Sequence, residues 1–234
     1  MTPPYRLHYA PDNASLIVRL ALEELGQPYE TRLVDRAAQG QRAPAYLALN
    51  PNGLIPVLET SDGPIFETAA ILLWLAERHG ALAPHPGDTR RAAFLKWLIF
   101  TANTLHPGLR MLFYPHSYVG QDARAQAHLR KTMTQELDRH LRKLDDVAAE
   151  RPAWLGGAQP SALDLYLAPC LRWCALYPAG MTGWFALARY PALQTLCARL
   201  EGRASTRAAI LAEGLGPHPF TAPIHPAPPE GSAT

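Results

Sequence analysis

Cysteine is nearly missing from this 234-residue chain: only Cys170, Cys174 and Cys197 occur, all late in the sequence. So few thiols exclude a disulfide framework and a zinc ribbon. Cys170 and Cys174 lie one helical turn apart, but no histidine or further cysteine follows at ligand spacing, so buried packing is expected and no metal site. Lysine is scarce too, at Lys96, Lys131 and Lys143. The 22 basic and 20 acidic residues leave a formal charge of +2, with no general pull toward nucleic acid or an anionic membrane. No window approaches eighteen consecutive apolar residues, which excludes a membrane-spanning helix. The stretch Met1 to Leu16 has no basic segment followed by an apolar one, so no secretory signal is expected. These absences leave a soluble cytoplasmic protein as the expectation. What is abundant is apolar material, 48% of residues, enough for the core of one large domain or two small ones.

Two periodicities share the first eighty residues. Tyr5 to Tyr9 alternates like a short strand and stops at the turn signal Pro11-Asp12-Asn13. From Ser15 the apolar positions Leu16, Val18, Leu20, Leu22 and Leu25 recur at helical spacing, and Gly26 stands where a helix ends. Tyr29 to Val34 reads as a second strand and Ala43 to Leu49 as a short helix before Asn50-Pro51-Asn52-Gly53. Pro56 to Glu59 and Pro64 to Phe66 form a hairpin around Ser61-Asp62-Gly63, and Glu67 to His79 is helical. The order is β-α-β, a short helix, a hairpin and a helix, over residues 1–80.

Residues 81–87 carry two prolines and no periodicity, and read as a linker. Residues 88–215 are almost all helical. Helices are expected from Asp88 toward Asn103, Leu105 to Phe113, 122–150, Ser161 to Cys174, Ala192 to Leu200 and Thr206 to Glu213. Ser161-x-x-Asp164 has the spacing of a capping box, a structural role. Residues 216–234 are too rich in proline for a helix. They read either as a solvated tail or as a cover over a cleft or partner subunit, anchored by Phe220 and Ile224. The fold class is therefore α/β plus all-α.

Four segments together carry a resemblance over nearly the whole chain: Leu7 to Leu16 before a helix ending Leu22-Glu23-Glu24-Leu25-Gly26; Asn50 to Leu58; Phe66 to Leu75; and Ser161 to Tyr166. In this order and at these distances they resemble the soluble glutathione transferases, bacterial type, nearest in pattern to beta-class members. The resemblance implies a thioredoxin-like N-terminal domain that binds glutathione as co-substrate, without metal. It also implies a helical second domain with a pocket for a small hydrophobic electrophile, and a homodimer.

Site residues follow from the matched positions. Leu54, Ile55 and Pro56 resemble the step at which a cis peptide lets the chain pair with the cysteinyl backbone of glutathione. Glu67 and Thr68 stand where a helix start, with unpaired N–H groups and partial positive charge, would receive the γ-glutamyl carboxylate, while Glu67 takes the ammonium. Plain capping is the alternative there. The chemistry needs a thiolate, and lowering a thiol pKa from about 8.5 by two units takes about 2.7 kcal/mol of differential stabilisation. Ser15 at the first helix start is the favoured hydroxyl, Tyr9 the other, and a plain N-cap the alternative for Ser15. Beta-class members carry cysteine just before this serine, where this chain has Ala14. A mixed disulfide with glutathione cannot form there, which disfavours reductase chemistry of the omega or thioredoxin kind. His106 and Tyr114 border the electrophile side, with Trp97, Phe113 and Tyr118 as further aromatic candidates. The same thiolate would serve an isomerase, lyase or dehalogenase, and the fold would also serve a non-catalytic ligand-binding protein or scaffold.

Overall fold

Tyr5, Leu7 and Tyr9 of the first strand, β1 (Tyr5–Tyr9), face the core, while on the other face Arg6 is exposed and His8 is covered. This is the period-two pattern of a strand with one face packed on helices. The structure is a computed structural model and describes residues 5–233. β2 (Tyr29–Leu33) pairs parallel to β1, with Tyr5 opposite Tyr29, and β3 (Val57–Thr60) pairs antiparallel on its other side, with Leu7 opposite Leu58. β4 (Gly63–Phe66) closes the hairpin against β3. The resulting order is β2-β1-β3-β4. Parallel pairing of β1 and β2 needs a crossover, and α1 (Ser15–Glu24) supplies it. Every residue of α1 from Ser15 to Leu22 is buried, because the helix lies between the sheet and the second domain.

The thioredoxin-like order continues with α2 (Pro44–Leu47) and α3 (Thr68–His79). Each element expected from sequence in this half is present, with ends displaced by a residue or a few. Gly80 ends α3 in the left-handed conformation that glycine adopts at least cost. Residues 81–90 contain no helix or strand. α4 (Arg91–Phe100) then runs through a π-helical turn, Thr101–Leu105, into α5 (His106–Phe113). Asp88 lies before α4, with its carboxylate accepting from the Arg90 N–H at 2.8 Å. A short α6 (His116–Val119), which the sequence did not signal, precedes the 27-residue α7 (Ala123–Ala149).

α8 (Ala162–Leu176) is the centre of the second domain and is buried almost all round. Ser161 and Asp164 form the foreseen capping box: the serine Oγ accepts from the Leu163 and Asp164 N–H groups, and the Asp164 carboxylate accepts from the Ser161 N–H at 2.7 Å. Cys170, Cys174 and Cys197 are fully buried free thiols, and no group that could hold a metal ion exists among the described residues. α9 (Pro191–Glu201) and α10 (Ala204–Glu213) complete the bundle. No described helix is long and apolar enough to cross a membrane.

The proline-rich tail corrects one expectation. It is not a freely solvated terminus. Phe220 is buried as an anchor, whereas the Ile224 side chain is exposed and the tail is held there by its backbone carbonyl, which accepts from Arg172 at 2.9 Å. Arg172 also donates to the carbonyls of Leu215 and Pro219, and the Ala227 N–H returns to Gly214. The tail thereby runs back toward the N-terminal domain.

Candidate functional site

The functional segments converge at the C-terminal end of β1. The loop 10–14 follows β1, and its conformation is set by Asp12 with φ +49°. Asp12 is buried and accepts from Arg172 Nε at 2.9 Å and Nη2 at 3.1 Å, from Trp173 Nε1 at 2.9 Å and from the Tyr177 hydroxyl at 2.8 Å. Its own N–H donates to Glu213, which pairs through its other oxygen with Arg19 of α1 at 2.7 Å. The second domain therefore grips the loop that begins α1.

Ser15, the first residue of α1, is fully buried against that loop. Its hydroxyl donates to the Ala10 carbonyl at 3.0 Å and accepts from the Ala10 N–H at 3.2 Å. A hydroxyl has one proton, and here that proton closes the turn rather than facing a ligand sulfur. Nor is Ser15 the helix N-cap, a position held by Ala14. Tyr9 differs from its expected role as well. It is 2% exposed, and its hydroxyl donates to Glu230 of the tail. Burial and the Glu230 carboxylate hold its pKa well above the ordinary phenol value. Asn13 is the residue of Pro11 to Ser15 that stays partly exposed, and its side-chain oxygen accepts from the Ala14 N–H at 2.8 Å.

Across the sheet, the Ile55–Pro56 peptide is cis. The loop before it is locked: Asn50 donates to the Leu54 carbonyl at 2.8 Å, the Tyr46 hydroxyl donates to the same oxygen at 2.7 Å, and Gly53 has φ +61°. A Cβ on Gly53 would come within 2.9 Å of the Gln41 carbonyl, so the close approach needs glycine. Leu54 is exposed and Ile55 half-buried.

Glu67 begins α3 with φ +71°, a conformation that L-residues other than glycine rarely adopt and that clusters at functional sites. Its carboxylate makes no capping bond to the helix, and Thr68 is the first helical residue. Plain capping is thus not what this pair does. The first turn of α3 keeps N–H groups free of a side-chain cap, an arrangement suited to a carboxylate.

His106 of α5 faces this helix start through Tyr166. The Tyr166 hydroxyl lies 2.9 Å from His106 Nδ1 and also hydrogen-bonds with Thr68. Burial, aided by the Arg110 charge, pushes the imidazole down to about 4, so His106 is neutral near pH 7. Tyr114, at the end of α5, accepts from Arg36 Nη2 at 2.9 Å and so bridges the two domains beside the tail. Among the other aromatic candidates, Phe113 and Trp97 are partly buried against the core, while Tyr118 is exposed.

Similarity to known proteins agrees with this geometry. Residues 14–78 match the family described as glutathione S-transferase, N-terminal domain, and residues 121–199 match the glutathione S-transferase C-terminal domain. Glutathione S-transferase GST-4.5 of Xanthomonas campestris is 31% identical, over 90% of this chain and 99% of that protein. The chain belongs to the glutathione transferase family. The disulfide-bond oxidoreductase YfcG of Escherichia coli is 32% identical over 90% of this chain and 96% of its own length. A sphingomonad glutathione S-transferase solved in complex with glutathione superposes with a TM-score of 0.74 at 31% identity, over 90% of this transferase-family chain and 100% of that one.

Sequence reasoning overlooked Asn13, Arg36, Tyr166 and Glu230. Asn13 was legible only as a turn residue. Tyr166 was legible in the Ser161 to Tyr166 segment as part of a motif, yet its partners lie on two other helices. Arg36 and Glu230 carry no local pattern that would single them out.

Proposed function

We propose that this transferase-family protein binds glutathione and presents its thiolate to a small hydrophobic electrophile. One observation carries the reading: the side-chain-free start of α3 at Glu67–Thr68 stands in the same fold as a cis Ile55–Pro56 step. The α3 N–H groups suit the γ-glutamyl carboxylate, Glu67 the ammonium, and the Ile55 backbone the cysteinyl unit. The thiol proton leaves to solvent, the sulfur forms a bond to the electrophilic carbon, and the leaving group departs with its bonding pair. For an activated alkene the π pair moves to the neighbouring carbon, which then takes a proton from water.

The Asn13 amide takes the place of Ser15 as the side-chain donor beside the sulfur, because Asn13 reaches the surface while the Ser15 proton is committed to Ala10. Neutral His106, held by Tyr166, borders the electrophile together with Tyr114. The reading includes a homodimer, which light scattering checks.

Calorimetry with glutathione tests the assignment. Glu67→Ala should weaken binding by about 1.5–3 kcal/mol, the range for a hydrogen bond to a charged group. An unchanged dissociation constant would remove Glu67 from the site. The ultraviolet thiolate band of bound glutathione at neutral pH separates an enzyme from a carrier or scaffold: its absence favours the binder.

The likeness to YfcG supports a second reading, reduction of a disulfide by glutathione. Two glutathione molecules would leave as oxidised glutathione while the substrate disulfide becomes two thiols. All thiols in this scheme come from substrates, which fits a chain whose three cysteines are buried. Oxidised glutathione formed from a small disulfide substrate distinguishes the two readings.

A further inference from the structure

The last described residues lie against two donors of the N-terminal domain, Tyr9 and Arg36. The Tyr9 hydroxyl donates to the Glu230 carboxylate, and Arg36 Nη1 donates to the Ala233 carbonyl while Nη2 reaches the Tyr114 hydroxyl. The Arg19 guanidinium stands 4.8 Å from the centre of the Tyr9 ring, already paired with Glu213. Arg36 enters no ion pair among the described residues, and its partners are neutral oxygens. These side chains therefore offer a phenolic O–H and one arm of a cationic fork to oxygens of the protein's own tail, while Tyr114 holds the other arm.

We propose that Tyr9 and Arg36 form a carboxylate-recognition subsite for the second substrate, and that the tail, with Glu230 as its carboxylate, is the built-in occupant that a substrate carboxylate displaces. That this subsite serves a second substrate rests on the reading of glutathione as the first.

The tail is built for such an exchange. Up to Ala227 it is pinned, by Arg172 on the Ile224 carbonyl and by the Ala227 N–H on Gly214. Beyond that point the tail is held through Glu230 and Ala233, through the close approach of Gly231 and through an interaction of Ser232. Gly231 has φ +71°, and a Cβ there would come within 2.6 Å of Leu33 and 3.4 Å of Pro11. Glycine lets this stretch press on the end of β2 and on the loop that precedes α1. Glu230 itself is exposed, so a competing carboxylate reaches Tyr9 from solvent without opening the core. The ligand class follows from the donors. An electrophile bearing a carboxylate near its reactive carbon gains a charged acceptor for Arg36 and Tyr9, whereas a neutral analogue gains much less.

Binding of trans-cinnamate and of neutral trans-cinnamamide, each without glutathione, tests the subsite by calorimetry on the full chain. Glu230→Gln removes the competing charge, and Gly231→Val lifts the tail sterically. Each should tighten cinnamate about tenfold, the scale of one charge-assisted hydrogen bond, and leave cinnamamide unchanged. Arg36→Ala should weaken cinnamate by a similar factor. Cinnamate affinity unmoved by both tail substitutions, or acid and amide changing together, overturns the proposal. Both tail positions are exposed, so these variants keep the test decisive even where a change at Tyr9 disturbs the core. Glutathione titrated into the wild type in the same series separates failure of the glutathione reading, which leaves the cinnamate result standing, from failure of the subsite.

Discussion

Replacing Asp12 by alanine would leave the Arg172 guanidinium charged, fully buried and without its counter-ion. Arg172 would keep three carbonyl acceptors, from Leu215, Pro219 and Ile224, but no anion. Trp173 Nε1 and the Tyr177 hydroxyl would lose the same carboxylate. Breaking one side of a buried ion pair costs about 3–5 kcal/mol, mainly through the charge left behind. Alanine at φ +49° adds about 1–2 kcal/mol, since Asp and Asn adopt that conformation more readily. Against a total stability of about 5–15 kcal/mol this is a large fraction. Urea unfolding should show a midpoint lowered by about 1.3–3.5 M at a slope of about 2–3 kcal/mol/M. Asp12→Asn keeps the backbone tolerance and a side-chain acceptor but not the charge, so its own cost reports the lost charge, and its difference from alanine reports backbone strain together with the retained hydrogen bonds. Because the same arginine pins the tail, cleavage by a protease after residue 216 should accelerate in Arg172→Met. A loss below about 1 kcal/mol in Asp12→Ala, with the tail equally protected in Arg172→Met, would refute the role assigned to this pair.

Ser15→Ala should cost about 1–2 kcal/mol by removing both hydrogen bonds to Ala10, with the pH–rate profile unmoved; an alkaline shift of that profile at unchanged stability would restore Ser15 as the sulfur donor. Ser161→Ala should cost about 0.5–2 kcal/mol through the lost cap and leave glutathione affinity of the folded protein unchanged, as melting curves and calorimetry together will show. The His106 imidazole is neutral in the fold down to about pH 4, whereas in the unfolded chain it takes a proton near 6.5. The unfolded state therefore binds more protons between these values, so stability falls as pH drops from about 6.5 to about 4. The full effect is up to about 3 kcal/mol, reduced by the partial exposure of the ring. Urea midpoints of wild type and His106→Gln across that window should converge at low pH relative to pH 7, and parallel curves would show that His106 is not the group responsible.

Local physics wrote most of the fold into the sequence. The alternation of Tyr5 to Tyr9, the glycine after α1, the Ser161–Asp164 box and the long apolar stripe of α7 each depend on residues a few positions apart, so reading along the chain finds them. The Ile55–Pro56 and Glu67–Thr68 segments were legible for the same reason, as short motifs whose backbone conformation local residues set. The partners of single hydroxyls were not legible. Ser15 and Tyr9 both stood in the right segment, yet one gives its proton to Ala10 and the other to Glu230, 221 residues away in sequence. The tail was legible as non-helical because proline withholds donors, but its path was decided by Arg172, whose ion pair with Asp12 joins residues 160 apart. A buried charge takes the counter-ion that packing brings to it, and no periodicity in the chain records which one that will be.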